Sequence, residues 1–222
     1  MNKKNILLKF IALVVILLIP AIVKIFFHEK NTVTLLLNNF SRDNEKVSYV
    51  EDKRLDTPNV IYNGTTVEDG IRSNSIIEKK AKKVTESATN DREKARDLYV
   101  WIGSNIEYDN NKAEKVLNSN DETVESGAIY AFRDRSGICF DYACLYVAMA
   151  RSVDLKVRLV IGEAYDGSKY VSHAWNQVYL SDEKKWINVD TTFYNGGNYF
   201  DSENFDKHIN KEIIGELSLI HI

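Results

Sequence analysis

Two prolines and two cysteines are all that the 222 residues contain of either type. Disordered chains are rich in proline and poor in aromatics, so two prolines with an aromatic content of 11% exclude that class and point to a packed body. The length suits one core with an appendage. Neither sign of charge dominates, the formal net charge being -3. Without a basic excess, a zinc-type Cys/His spacing or basic stretches interleaved with stacking aromatics, nothing points to a nucleic-acid partner. A calcium-loop pattern is missing too, so no metal and no other cofactor is implied. The two cysteines, Cys139 and Cys144, fall within one expected helix, project from different faces and stand too far apart to bridge. A disulfide framework is therefore excluded, and at least one thiol is left for chemistry.

Long apolar runs are scarce, with one exception. From Ile6 to Phe27 the chain is apolar except for Lys9, Lys24 and the break at Pro20, close to the ~20 residues that a membrane span needs. Lys3, Lys4 and Lys9 favour a cytoplasmic N-terminus. Ile-Pro-Ala and Ala-Ile-Val are poor cleavage sites, so the expectation is an uncleaved transmembrane anchor over residues 1–28 rather than secretion after signal cleavage. Residues 29–73 read as a spacer with weak strands, and residues 74–222 as the folded domain outside the membrane.

Ile76, Ile77, Ala81, Val84 and Ala88 recur at helical spacing, predicting an amphipathic helix that ends near Thr89. Asn90 with Glu93 forms a start resembling a capping box for a second helix, whose apolar face is Ala95, Leu98, Tyr99, Trp101 and Ile102. The polar stretch from Asp109 to Glu125 reads as a loop or a poorly packed helix. From Ile138 to Val153 the chain is apolar almost all round, which predicts a helix at the centre of the domain. Ser136 is the expected cap, and Cys139 falls in the first turn. Alternation then predicts three strands, around Val157–Ile161, Ala174–Leu180 and Trp186–Val189, with turns at Asp166-Gly167-Ser168 and Ser181–Lys184. Helices followed by an antiparallel sheet make an α+β domain.

A cysteine in the first turn of a helix feels exposed N–H groups that favour its thiolate. Cys144 reads as apolar filler. In an antiparallel hairpin, a residue early in one strand lies beside a residue late in the next, which brings His173 to Asp190. Nucleophile on a helix, imidazole and carboxylate on adjacent strands is the layout of a thiolate–imidazolium pair with an orienting acid.

At Gly137-Ile-Cys139-x-x-Tyr142-Ala143, His173-Ala174-Trp175-x-x-Val178 and Trp186-x-x-Val189-Asp190-x-Thr192 the chain resembles the transglutaminase-like superfamily, a papain-like fold. The likeness spans about Asp91 to Phe193. It implies Cys139 as nucleophile, His173 as base and Asp190 as orienter, acting on protein or peptide amides. Transglutaminase, cysteine protease and peptide amidase activities are all implied as options, and a binding module without turnover is the rival class. Asp154 and Lys156 stand where the family commonly has Gly and Pro, but Asp tolerates a left-handed cap.

Overall fold

The computed structural model describes residues 61–62, 64–118 and 124–217, all within one compact unit, Val50–Ile222. The expected anchor over 1–28 and most of the expected spacer lie outside the described residues. Among the described residues no helix is long and apolar enough to cross a membrane.

Two short strands, β1 (Ile61–Tyr62) and β2 (Thr65–Thr66), pair antiparallel and lead into a single turn, α1 (Val67–Gly70). Val67 and Ile71 belong to the hydrophobic core, so packing starts upstream of residue 74. Helix α2 (Ser75–Val84) begins at Asn74, whose Oδ1 accepts from the N–H groups of Ile76 and Ile77 at 3.0 Å each. It stops at Val84, short of Thr89. Helix α3 (Asp91–Asn105) starts at Asn90, which accepts from Glu93 N at 2.9 Å. The Glu93 carboxylate reaches one residue beyond a capping box and accepts from Thr89 N at 2.7 Å.

The polar stretch is partly ordered. Strand β3 (Glu107–Tyr108) is followed by α4 (Asn110–Asn118), then α5 (Ala128–Asp134) and β4 (Ser136–Gly137), and β3 pairs parallel with β4. Helix α6 (Cys139–Arg151) is buried at all of its positions, as its apolar circumference requires. Its cap residue is Ile138 rather than Ser136, because Ser136 is taken up in β4.

After α6 the chain turns through Asp154, at φ 64°, in the left-handed conformation that Asp tolerates. Strands β5 (Lys156–Tyr165), β6 (Tyr170–Leu180) and β7 (Lys185–Val189) form the expected antiparallel meander. A fourth strand, β8 (His208–Leu217), adds antiparallel to β5, giving the order β7-β6-β5-β8. The return from β7 to β8 crosses from one edge of the sheet to the other, through residues 191–207. Sheet and helix are joined by a polar contact as well as by packing: Asn176 of β6, fully buried, donates through Nδ2 to the Ala143 carbonyl of α6 at 3.1 Å.

Gly162 of β5 is where the two outer neighbours crowd in. A Cβ there would stand 2.1 Å from the Ile209 carbonyl oxygen and 2.8 Å from the Trp175 ring. Backbone cannot step aside as a side-chain tip can. Gly162→Ala should therefore lower stability by about 1–3 kcal/mol, as overpacking does, and loosen β8, read by chemical denaturation and by faster amide exchange over residues 208–217.

Candidate active site

His173 and Asp190 meet, Cys139 stands near enough to act on the His173 ring, and four further residues join them. Cys139 is the first residue of α6 and is 6% exposed. An isoleucine cap has no side-chain acceptor, so the opening of the helix needs one from elsewhere. Asp141 supplies it: its Oδ2 accepts from Ile138 N at 2.8 Å and its Oδ1 from Gly127 N at 2.6 Å. The carboxylate is fully buried and faces the Lys112 ammonium at 2.7 Å. Lys112, also buried, donates to the Glu125 carbonyl at 2.7 Å and lies 3.6 Å from the Tyr130 ring centroid. Burial outweighs Lys112 and the two N–H donors, so the Asp141 carboxyl titrates above the usual range.

The β6–β7 hairpin pairs Asn176 with Val189, and Asp190 follows directly. His173 Nε2 stands 2.8 Å from Asp190 Oδ2. Asp190 Oδ1 accepts from Thr192 N at 3.0 Å. Burial disfavours a charged His173 ring, but the Asp190 charge, the bond to Asp190 and a hydrogen bond to Cys139 together outweigh it and raise its pKa. Burial likewise opposes the Asp190 charge, and His173 followed by His208 outweighs it, which holds the carboxyl well below its ordinary value. Both shifts favour the ionic form of the pair.

His208, the first residue of β8, places its Nε2 2.9 Å from the same Asp190 Oδ2. Aromatic rings surround both imidazoles. His173 stacks on Phe193 with ring centroids 4.7 Å apart and planes 9° apart, and His208 lies 4.7 Å from Phe205 and 5.0 Å from Trp175. Trp175 is 1% exposed and packs against both imidazoles.

Tyr108, paired with Gly137 across β3–β4, borders the Cys139 turn. Although the residue as a whole is 44% exposed, partial burial around its hydroxyl, then the charges of Cys139, Asp141 and Asp109, push that hydroxyl up to about 12. Cys144 is fully buried, and burial reinforced by Asp141 and Cys139 pushes its thiol well above the ordinary value.

His173, Asp190 and His208 could supply three metal ligands, with their atoms within 4.8 Å of one another. The two nitrogen–oxygen separations of 2.8 and 2.9 Å are hydrogen-bond lengths. Tetrahedral zinc, with ligands at roughly 2.0–2.1 Å, would spread neighbouring ligands to about 3.3 Å. The atoms as arranged fit shared protons better than an ion.

His208, Lys112, Asp141 and Tyr108 are not among the residues that the sequence patterns single out. Asp141 alone had a local signal, an acidic residue three positions after the cap of an otherwise apolar helix.

The family model described as the transglutaminase-like superfamily matches residues 78–191. No curated protein matches the chain. Among solved structures, a candidate cysteine protease from Cytophaga hutchinsonii is 22% identical, with TM-score 0.48, over 62% of this chain and 41% of that one. A TGase is 20% identical, with TM-score 0.44, over 76% of this chain and 41% of that one. The chain thus spans less than half the length of either.

Lys112→Met should leave Asp141 as an uncompensated buried charge and cost about 3–5 kcal/mol at neutral pH. The Asp141 pKa is already raised by folding, so the folded form holds its proton more tightly than the unfolded chain. Its ionisation therefore opposes folding as pH rises. Denaturant midpoints at pH 5 and pH 8 should show a deficit that shrinks at the acid end; an equal deficit at both would mean that Asp141 does not carry it.

Proposed function

The chain belongs to the transglutaminase-like superfamily, and we propose that its domain catalyses thiol-dependent acyl transfer on protein or peptide amides through a thioester on Cys139. The observation that carries this reading is the His173 ring, 2.8 Å from the buried Asp190 carboxylate and close enough to Cys139 to feel its charge.

In this mechanism the Cys139 thiolate attacks the amide carbonyl and forms a tetrahedral adduct. The His173 imidazolium protonates the departing nitrogen, the C–N bond breaks, and a thioester and a free amine or ammonia result. A second amine, or water, then gives a proton to the now neutral imidazole as it attacks the thioester, and the thiolate leaves. Asp190 keeps the ring oriented and offsets its charge. The Cys139 N–H, at the positive end of α6, meets the developing oxyanion. Tyr108, protonated and within the influence of the Cys139 charge, suits a second donor. Deacylation by water instead of an amine gives cysteine-protease or amidase chemistry from the same intermediate. An N-terminal anchor over residues 1–28 would hold this domain at the outer face of a membrane, where protein or peptide amides are its substrates.

Incubating the protein with a glutamine-containing peptide and a fluorescent primary amine tests the reading. Mass spectrometry should find the acyl group on Cys139 and, if transfer prevails, the amine on the peptide; release of ammonia or cleaved peptide without incorporation indicates hydrolysis. A wild-type protein that gives neither product nor adduct would leave the binding module standing.

Cys139→Ala and His173→Ala should each reduce turnover by about 10³-fold or more, and Asp190→Asn by less than Asp190→Ala. The pH profile gives a second check. The Asp190 charge holds His173 protonated above its ordinary range, so in Asp190→Asn burial takes over and the ring loses its proton at lower pH. The alkaline limb of kcat should move down by about 1–3 units. An unmoved limb would remove Asp190 from the site.

A further inference from the structure

We propose that His208 is a positioning residue for the same reaction: it holds Asp190 through a second imidazole N–H and so divides the carboxylate charge that His173 feels. The proposal rests on the catalytic reading above. Its basis is geometric. His208 comes from β8, on the far side of β5 from His173, yet its Nε2 reaches the very oxygen that His173 uses, at 2.9 Å against 2.8 Å. The His208 side chain is 3% exposed and, among the described residues, its Nδ1 has no hydrogen-bond partner.

That orphan atom fixes the tautomer. Were His208 protonated on both nitrogens, Nδ1 would carry an N–H into a surround of Trp175, Tyr199 and Phe205 with nothing to receive it. A proton on Nε2 donates to Asp190 Oδ2, a carboxylate oxygen that can only accept. Asp190 Oδ2 therefore accepts from both imidazoles at once. The groups that act on this cluster are Asp190 of the β6–β7 hairpin, His173 of β6, Cys139 of α6 through His173, and Tyr99 of α3, whose hydroxyl senses the Asp190 charge.

A donor on Oδ2 draws off part of the carboxylate charge and stops the carboxylate from turning away from His173. Its removal has two consequences of opposite kind: the carboxylate is less well held, so turnover falls, and its charge is less shared, so His173 becomes more basic. Asp190→Asn moves the alkaline limb down, and loss of the His208 donor moves it up.

The test uses the full chain with His208→Phe, which keeps ring volume without a donor, and His208→Gln, whose amide nitrogen can stand near the Nε2 position. His208→Phe should lower kcat about tenfold, the loss of roughly one hydrogen bond to a charged group, leave KM near wild type, and shift the alkaline limb upward. His208→Gln should recover most of both. Equal loss of kcat in the two variants with the limb unmoved would make His208 a packing residue and overturn the proposal, as would wild-type behaviour of a folded His208→Phe. If the wild type turns over no amide, the catalytic reading fails by itself. The pH profile of iodoacetamide alkylation at Cys139 then still decides on His208, because a shifted profile in His208→Phe supports the shared charge and an unshifted one refutes it.

Discussion

A carboxylate with no exposure to water is the constraint around which this domain is arranged. Stripped of solvent, an ionised Asp190 is costly unless charge and hydrogen bonds replace what water provided. The replacement comes from three directions: His173 on β6, the Thr192 N–H just beyond β7, and His208 on β8. None of these meets the others without the whole sheet. The hairpin sets His173 against Asp190, and the return over residues 191–207 carries the chain across to β8. It also lays Phe193 and Phe205 against the two imidazoles.

A second buried carboxylate plays a parallel part at the start of the helix that carries Cys139. Asp141 closes the start of α6 where the isoleucine cap cannot, and Lys112 offsets its charge from within α4. The locality of Cys139 thus holds two buried carboxylates, one paired with an ammonium and one with imidazoles. Left bare, either would disfavour a thiolate nearby. The compensation at Asp141 removes a repulsion, and in the proposed mechanism the compensation at Asp190 serves the ring that acts with the thiol.

How much of this can be read in the sequence follows from how local each cause is. The apolar run around Cys139, the alternation from Val157 onward and the short turn at Ser181–Lys184 are local signals. They give the central helix, the three-stranded meander and the approach of His173 to Asp190. Strand β8 is different. Its sequence, His208-Ile-Asn-Lys-Glu-Ile-Ile, is half charged and polar because it lies at the sheet edge, and its partner β5 lies dozens of residues upstream. No window contains that pairing, so His208 stays out of sight. Lys112 is hidden for another reason: in a stretch of Asn, Lys, Asp and Glu, one lysine turned inward looks like its neighbours. Ser136 misleads as a cap because its pairing with Glu107 depends on tertiary structure.

The account stands on a charged imidazole held beside Cys139 by Asp190. Nitrogen-15 NMR of the histidine-labelled protein reads this directly, with His173→Gln assigning the resonance. The His173 ring should retain both protons well above neutral pH, with one N–H shifted far downfield by its bond to Asp190. A His173 ring that loses its proton near the ordinary value of 6.5, with no such resonance, would contradict it.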